Sequence, residues 1–156
     1  MSTLTANRLA NRGLTVLAAC AWLAACGEAT PPEEALRAWV ARGAELAEQK
    51  DRRALVAMIS PAYADARDND RDDIENLFRV YFLRQHKVVL LTRIEELRVI
   101  GETAAQLMLT VGMAGTNDGV LGFSADAYRF DMEFERDGDD WLLISARWGE
   151  LGEELR

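Results

Sequence analysis

The acidic run DARDNDRDD carries the residue types of a calcium-binding loop. Asp68, Asp70 and Asp72 alternate along it as the first carboxylate ligands of such a loop do. However, the position that requires a glycine is Asp73, and the position that requires a bidentate glutamate is Arg79. We therefore interpret the run as a solvated loop that leads into a helix, where acidic side chains are favourable near the positive N-terminus. No metal site is predicted.

His86 is the only histidine of the chain, which excludes metal sites that need two histidines and the HExxH protease motif. A single histidine could still act as a general base near neutral pH. His86 lies between Gln85 and Lys87, where the pattern changes from helix to strand, and a histidine there is more often structural. The sequence also lacks a GxSxG motif, a phosphate-binding glycine loop and a nucleophilic cysteine. No catalytic residue and no cofactor are predicted.

Both cysteines of the chain, Cys20 and Cys26, fall in an apolar run near its start. That run follows Arg8 and Arg12 and ends in two alanines. A basic start, a short apolar centre and small residues at the end are typical of a secretory signal peptide. The run is shorter than the roughly 20 apolar residues that a transmembrane helix needs. We predict a signal peptide at residues 1–25.

The residues Leu23-Ala24-Ala25-Cys26 resemble the lipobox of bacterial lipoproteins, in which leucine and two small residues precede an obligatory cysteine. The resemblance implies a lipidated Cys26, and two or more acyl chains give a stable membrane anchor. Residues 26–32 would then be the lipidated cysteine and a short tether. Cys20 ends a similar box, but cleavage there would leave a shorter apolar centre. Gly27, in place of the aspartate that retains many such proteins in the inner membrane, favours an outer-membrane lipoprotein facing the periplasm.

The part of the chain after Cys26 is strongly acidic. It holds all 26 acidic residues and all but two of the 18 basic ones, which gives a net charge near −10. A field of that sign repels phosphate backbones and argues against a nucleic-acid partner. The length suits one domain that can bury about two-thirds of its unfolded surface. With Cys26 lipidated, no internal disulfide is expected.

Three helices are predicted before His86. Thr30-Pro31-Pro32-Glu33 is typical of a helix start, with threonine as the N-cap and glutamate closing a capping box. A second helix is predicted at residues 53–59, and a third has one apolar face from Ile74 to Phe82. The apolar face of the first helix, which includes two small residues, is formed by Leu36, Trp39, Val40, Gly43, Leu46 and Ala47.

After Gln85 the apolar period changes from helical to two, which predicts antiparallel strands with one buried face. In the first strand the apolar phase changes between Ile94 and Leu97, which indicates a β-bulge. Asp137-Gly138-Asp139 is typical of a tight turn into the last strand. The strands are predicted at residues 86–100, 106–113, 128–135 and 141–148.

Helices followed by a meander of strands predict an α+β domain, in which N-terminal helices pack on a curved antiparallel sheet. Three segments make this pattern resemble the nuclear transport factor 2-like superfamily, which includes ketosteroid isomerase and the SnoaL-like polyketide cyclases. They are PPEEALRAWVARGAELAEQKD, LVAMISPAYAD and DGDDWLLISARW. The resemblance implies a cone-shaped, cystatin-like roll over residues 33–150, followed by a tail at residues 151–156.

Enzymes of this superfamily place acidic, tyrosine or histidine side chains in a cavity between helices and sheet. The residues of suitable type near expected cavity edges are Tyr63, Asp65, Tyr81, His86, Asp126 and Tyr128. None of them matches a catalytic position of the family, so they are candidates for a pocket and not for catalysis. Trp39, Trp141 and Trp148 are expected in the core.

The anchor and the fold together predict a non-enzymatic periplasmic lipoprotein that binds a small apolar ligand in the cone or docks an envelope protein. The alternative is an isomerase, dehydratase or cyclase that transfers protons next to a carbonyl. A third possibility is a structural domain with a solidly packed cone. Superfamily members often dimerise through the outer sheet face, so the charged row from Arg129 to Glu135 is either solvated or a polar homodimer interface.

Overall fold

The structure, a computed structural model, describes residues 30–116 and 123–156. Its elements are α1 (Pro32–Gln49), α2 (Arg52–Ala57), α3 (Arg71–Arg84), β1 (Lys87–Ile100), β2 (Ala104–Thr116), β3 (Phe123–Asp137) and β4 (Asp140–Glu150). The predicted signal peptide, Cys20 and Cys26 lie outside the described residues. Within those residues, no helix combines the length and the apolar character needed to cross a bilayer.

The start of α1 differs from the prediction. Pro31, and not Thr30, is the N-cap residue, and no side chain caps the helix. Because Pro32 disfavours helical backbone at the residue before it, Pro31 is extended, with φ −52° and ψ 137°. Its carbonyl accepts a hydrogen bond from the Ala35 amide at 3.0 Å. Thr30 therefore lies one residue too early for the predicted capping box, which was wrong.

Helices α2 and α3 each begin after an aspartate. Asp51 accepts a hydrogen bond from the Ala54 amide at 3.0 Å. Asp70 accepts from the amides of Asp72 and Asp73, both at 2.9 Å, and its own amide donates to the Asp73 carboxylate at 3.2 Å. This capping box confirms that the acidic run leads into a helix. Across the described ranges, no group of three histidine, cysteine, aspartate or glutamate residues could hold a metal ion.

The four strands form one sheet in the order β1-β2-β3-β4, with each neighbouring pair antiparallel. The predicted bulge in β1 is confirmed, because its register with β2 shifts between Ile94 and Glu96. A second shift, which the sequence did not predict, lies between Glu133 and Phe134, where Ile144 of β4 is the additional residue. The architecture is the predicted α+β fold, with N-terminal helices packed on an antiparallel sheet.

The core lies between α1 and the inner face of the sheet. Leu36, Leu107 and Phe134 are at most 1% exposed there. The Trp39 ring meets Phe134 edge-on, with their centroids 4.8 Å apart. Helix α1 packs on β1 and β4, whereas α3 packs on α2 and keeps its backbone away from the sheet. The position of α3 leaves a space between the helices and the sheet.

Two sets of contacts fix the ends of these elements. Lys50, in the left-handed conformation after α1, donates from its ammonium to the carbonyls of Phe82 and Gln85 at the end of α3. A positive charge is favourable at that helix terminus. At the β4 edge, Trp148 and Arg156 exchange backbone hydrogen bonds of 3.0 and 3.3 Å. The end of the predicted tail therefore runs beside β4.

Candidate functional site

A cavity of about 510 Å³ lies between the helices and the sheet. It is bounded by the second half of α1, one face of α3 and the inner faces of all four strands. On the α1 side it is lined by Gly43, Ala44 and Ala47. A Cβ atom placed on Gly43 would still be 3.7 Å from Met58 Cε. The volume exceeds the roughly 300 Å³ typical of ligand sites, so the cone is not packed solid.

The walls of the cavity are aromatic and aliphatic. The aromatic lining residues are Trp39, Tyr63, Phe78, Tyr81, Phe82, Tyr128, Phe130 and Trp148. Among the described residues that line it, none carries a carboxylate, an imidazole or a positive charge. The side-chain polar groups are the tyrosine hydroxyls, the indole N–H groups and the hydroxyl of Thr92. Such a surface suits a neutral apolar molecule oriented by few hydrogen bonds.

Tyr63 and Asp65 form a buried pair, 4% and 8% exposed. The Tyr63 hydroxyl donates to Asp65 at 3.3 Å. The same carboxylate accepts from the Arg67 amide at 2.7 Å, the Asn69 amide at 3.0 Å and the Asn69 side chain at 2.9 Å. Burial tends to raise the pKa of Asp65, but the hydrogen bonds from Asn69 and Arg67 outweigh it and lower that pKa. A carboxylate held this way is a poor general base.

The pKa of Tyr63 is shifted in the opposite direction from the pKa of Asp65. Burial, followed by the charge of Asp65 and the hydrogen bond to it, raises the pKa of Tyr63. Its phenol therefore stays protonated and remains bonded to the carboxylate. Asp65 itself is not among the cavity lining, so the pair supports the wall at Tyr63 and organises the loop before α3.

Tyr81 and Tyr128 are the other two phenols of the cavity. Burial, and then the charge of Asp126, raises the pKa of both. At Tyr128 the charge of Glu150 adds to this effect and the charge of Arg67 opposes it. Both phenols are therefore neutral at physiological pH and can donate a hydrogen bond to a ligand oxygen.

The structure brings three of the six pocket candidates, Tyr63, Tyr81 and Tyr128, to one cavity. Asp65 is hydrogen-bonded to the first, and Asp126 acts electrostatically on the other two. His86 is exposed between α3 and β1 and does not line the cavity. The only histidine is thus set apart from the other candidates.

Two of the tryptophans expected in the core, Trp39 and Trp148, pack against it and also line the cavity. Trp141 is buried at 5% exposure, whereas Trp39 and Trp148 line the space. The guanidinium of Arg67 lies 4.4 Å from the centroid of the Trp148 ring and donates to the Trp148 carbonyl at 2.8 Å. The sequence signal for an open cone is the set of small residues on the apolar face of α1, which includes Gly43.

No protein-family model matches the chain, and no curated protein matches its sequence. Solved structures do match its fold. A proposed scytalone dehydratase from Novosphingobium aromaticivorans superposes with a TM-score of 0.69 at 10% identity, covering 76% of this chain and 83% of its own. A proposed dehydratase of the nuclear transport factor 2-like family from Streptomyces avermitilis gives 0.65 at 12% identity, covering 78% and 97%.

A third similar structure is described by its fold. It is a nuclear transport factor 2-like protein with a cystatin-like fold from Novosphingobium aromaticivorans, with a TM-score of 0.62 at 18% identity, covering 78% of this chain and 83% of its own. At these identities the likeness concerns the fold and not an activity. The chain therefore has the nuclear transport factor 2-like, cystatin-like fold.

Proposed function

We propose that this protein is a membrane-anchored periplasmic lipoprotein whose domain binds a small apolar molecule without transforming it. The observation that supports ligand binding most strongly is the apolar cavity of about 510 Å³. The absence of carboxylate and imidazole groups from its described lining supports binding over acid–base catalysis.

The apolar surface that a ligand buries in this cavity limits the affinity that it can reach. A ligand that buries about 300 Å² of apolar surface gains about 7 kcal/mol at roughly 25 cal/mol per Å². The loss of translational and rotational freedom offsets part of this gain. Because 7 kcal/mol alone corresponds to a dissociation constant of about 10 μM, we expect constants weaker than this for simple apolar probes.

The test is a fluorescence titration of the purified protein with N-phenyl-1-naphthylamine, a neutral apolar probe. Ala44→Trp and Val111→Trp fill the cavity from opposite walls, so each should weaken binding by at least about tenfold. Ala41→Trp, on the exposed side of α1, is the matched control and should leave affinity unchanged. Binding that both filling variants retain, or no saturable binding by the parent protein, contradicts the proposal.

The anchor is proposed from the lipobox alone, since Cys26 lies outside the described residues. A Cys26→Ser variant should no longer incorporate labelled fatty acid and should leave the membrane fraction. Cys20→Ser is the matched control and should remain lipidated. Separation of the two membranes on a density gradient then tests the proposed outer-membrane location. Continued lipidation of Cys26→Ser would overturn the assignment.

An isomerase, dehydratase or cyclase is the second candidate function. The similar structures described as dehydratases favour it, as does the location of Tyr81 and Tyr128 under the influence of Asp126. A simple test is the exchange of the acidic C–H protons of 2-tetralone with deuterated water, followed by NMR. Catalysed exchange that is lost in Tyr81→Phe and Asp126→Asn would support an enzyme. Exchange no faster than in buffer would remove this candidate for simple ketones.

The outer sheet face is the proposed surface for a homodimer or an envelope partner. Arg129, Asp131 and Glu133 alternate on β3 with the inward-facing residues, and Arg147 pairs with Asp131 on this face. The face is therefore charged, with both signs present. Sedimentation that shows only monomer at high protein concentration would contradict the homodimer.

A further inference from the structure

The cavity offers little choice of position for the polar part of a ligand. The Tyr63 hydroxyl is already bonded to Asp65, and Thr92 is an exposed residue at the rim. The phenols of Tyr81 and Tyr128 belong to the wall formed by α3 and β3. Within the described residues, neither phenol is hydrogen-bonded. Apart from the indole N–H groups of Trp39 and Trp148, which can only donate, these two hydroxyls are the side-chain groups that remain to bind a polar atom of a ligand.

The environment of these phenols disfavours the binding of an anion. None of the described lining residues is a lysine, an arginine or a histidine, so a carboxylate that entered the cavity would lose its hydration without gaining a counter-ion. Negative charges near the cavity add electrostatic repulsion to this desolvation cost. Asp126, Glu150 and Glu153 all raise the pKa of Tyr128, which means that they make the potential there negative, and Arg67 opposes them.

The environment is also unsuited to a buried cation. No carboxylate reaches the described lining, and Asp126 is exposed to solvent, so its screened charge offsets only part of the cost of burying a cation. A neutral group avoids both costs. A hydroxyl or carbonyl oxygen can accept from a phenol, and a hydroxyl can also donate to one.

From this geometry we infer that the ligand is a neutral amphiphile, with an apolar chain or ring system and one hydroxyl or carbonyl group placed against Tyr81 and Tyr128. Anionic analogues of the same size, such as fatty acids, are rejected. This inference rests on the proposed ligand-binding function and specifies the class of ligand.

The experiment is displacement of bound N-phenyl-1-naphthylamine by three ten-carbon competitors that differ only in the head group. They are 1-decanol, decanoate and decylammonium, each used below its aggregation concentration at neutral pH. We expect decanol to displace the probe at a concentration at least about tenfold lower than decanoate, because only decanoate must bury an uncompensated negative charge. Decylammonium should also be weaker than decanol.

Variants connect this preference to the named residues. Tyr81→Phe combined with Tyr128→Phe should reduce the affinity for decanol about threefold to tenfold, with little change for the naphthylamine probe. Asp126→Asn should narrow the difference in affinity between decanol and decanoate, because it removes a negative charge beside the phenols. Asp139→Asn, in the exposed turn before β4, is the matched control and should change neither ratio.

The outcomes separate the two proposals. If the probe does not bind, or binds equally to the Ala44→Trp and Val111→Trp variants, the proposed function fails. If the probe binds in the cavity but decanoate or decylammonium competes as well as decanol, the function stands and the inference about the head group is overturned. Unchanged decanol affinity in the double tyrosine variant would overturn the assignment of Tyr81 and Tyr128.

Discussion

Asp65 accepts hydrogen bonds from the Tyr63 hydroxyl, the Arg67 and Asn69 amides and the Asn69 side chain. An asparagine there would place an NH₂ group against one of these donors. We expect Asp65→Asn to lower the free energy of unfolding by about 1–3 kcal/mol in urea denaturation, with unchanged probe binding to the folded protein. The control Asp139→Asn should cost less than about 0.5 kcal/mol. Loss of probe binding by folded Asp65→Asn would contradict its structural role.

The lowered pKa of Asp65 also makes stability depend on pH on the acid side. A group with a folded pKa below its unfolded value, about 3.9 for aspartate, contributes stability that is present above that value. The contribution is lost as the pH falls through the folded pKa. The difference in urea midpoint between the parent protein and Asp65→Asn should therefore be full at neutral pH and shrink below about pH 4. A constant difference down to acid unfolding would contradict this assignment.

Tyr63 gives the opposite dependence, because burial and then Asp65 raise its pKa. Its contribution to stability is fully present below the unfolded tyrosine pKa of about 10 and declines as the pH rises above that value. The free energy of unfolding should fall above about pH 10, and Tyr63→Phe should make this fall less steep. The decrease with pH that remains in Tyr63→Phe should come in part from Tyr81 and Tyr128, whose pKa values are also raised. An identical alkaline slope in Tyr63→Phe would count against the pair.

At the scale of elements, the acidic run caps α3. Because Asp70 accepts from two amides of the first turn, Asp70→Ala should lower the free energy of unfolding by about 0.5–2 kcal/mol. Asp72→Ala removes only a charge near the helix N-terminus, and we expect a loss of about 0.3–1 kcal/mol. Thermal denaturation measures both. A melting temperature raised by millimolar calcium would show that the acidic run also binds calcium, which would contradict its interpretation as a solvated loop that caps α3.

Alanine substitutions at two glycines, one in α1 and one in β4, test how closely neighbouring segments pack against these elements. At Gly43 in α1 a Cβ atom would meet Met58 Cε at 3.7 Å, an ordinary contact, so Gly43→Ala should stabilise the helix by about 0.5–1 kcal/mol. At Gly149 in β4 a Cβ atom would lie 2.9 Å from the Glu154 carbonyl oxygen. Gly149→Ala should therefore destabilise the protein or displace the tail from β4. Equal stability of the two variants in urea would contradict the observed packing.

Periodicity predicted the helices and strands, including the bulge that follows Ile94. It did not predict the second bulge, because Trp141 to Ile144 are all apolar and hide the change of phase in β4. The capping box at Thr30 was wrong for a local reason, since Pro32 controls the backbone before it. Sequence patterns thus predict elements well and fail where a neighbouring residue or strand decides the geometry.

At the scale of the whole molecule, the cavity depends on where α3 lies, and the apolar periodicity of the sequence does not show that position. An apolar face from Ile74 to Phe82 has the same pattern whether it packs on a sheet or lines an open space. The three tyrosines were predicted as pocket candidates, and the structure places them around one cavity. His86 was predicted with them from its residue type and its place near an expected cavity edge, but it does not line the cavity.

The direction of α1 has a consequence for the proposed anchor. Its 18 residues span about 27 Å, and Lys50 at its end contacts Phe82 and Gln85 of α3. Tyr81 is thus at the far end of α1 from Pro32, where the proposed tether would join the domain. With Cys26 in the membrane, we expect the Tyr81 side of the cavity to lie away from the anchor.

Native mass spectrometry tests most directly whether the cavity holds a neutral apolar ligand. The purified protein should be measured without denaturation, before and after loading with excess 1-decanol, beside the Ala44→Trp and Val111→Trp variants. We predict a one-to-one adduct that is lost on unfolding and absent from both filled variants. No adduct on the parent protein even after loading, or the same adducts on the filled variants, would contradict the proposal.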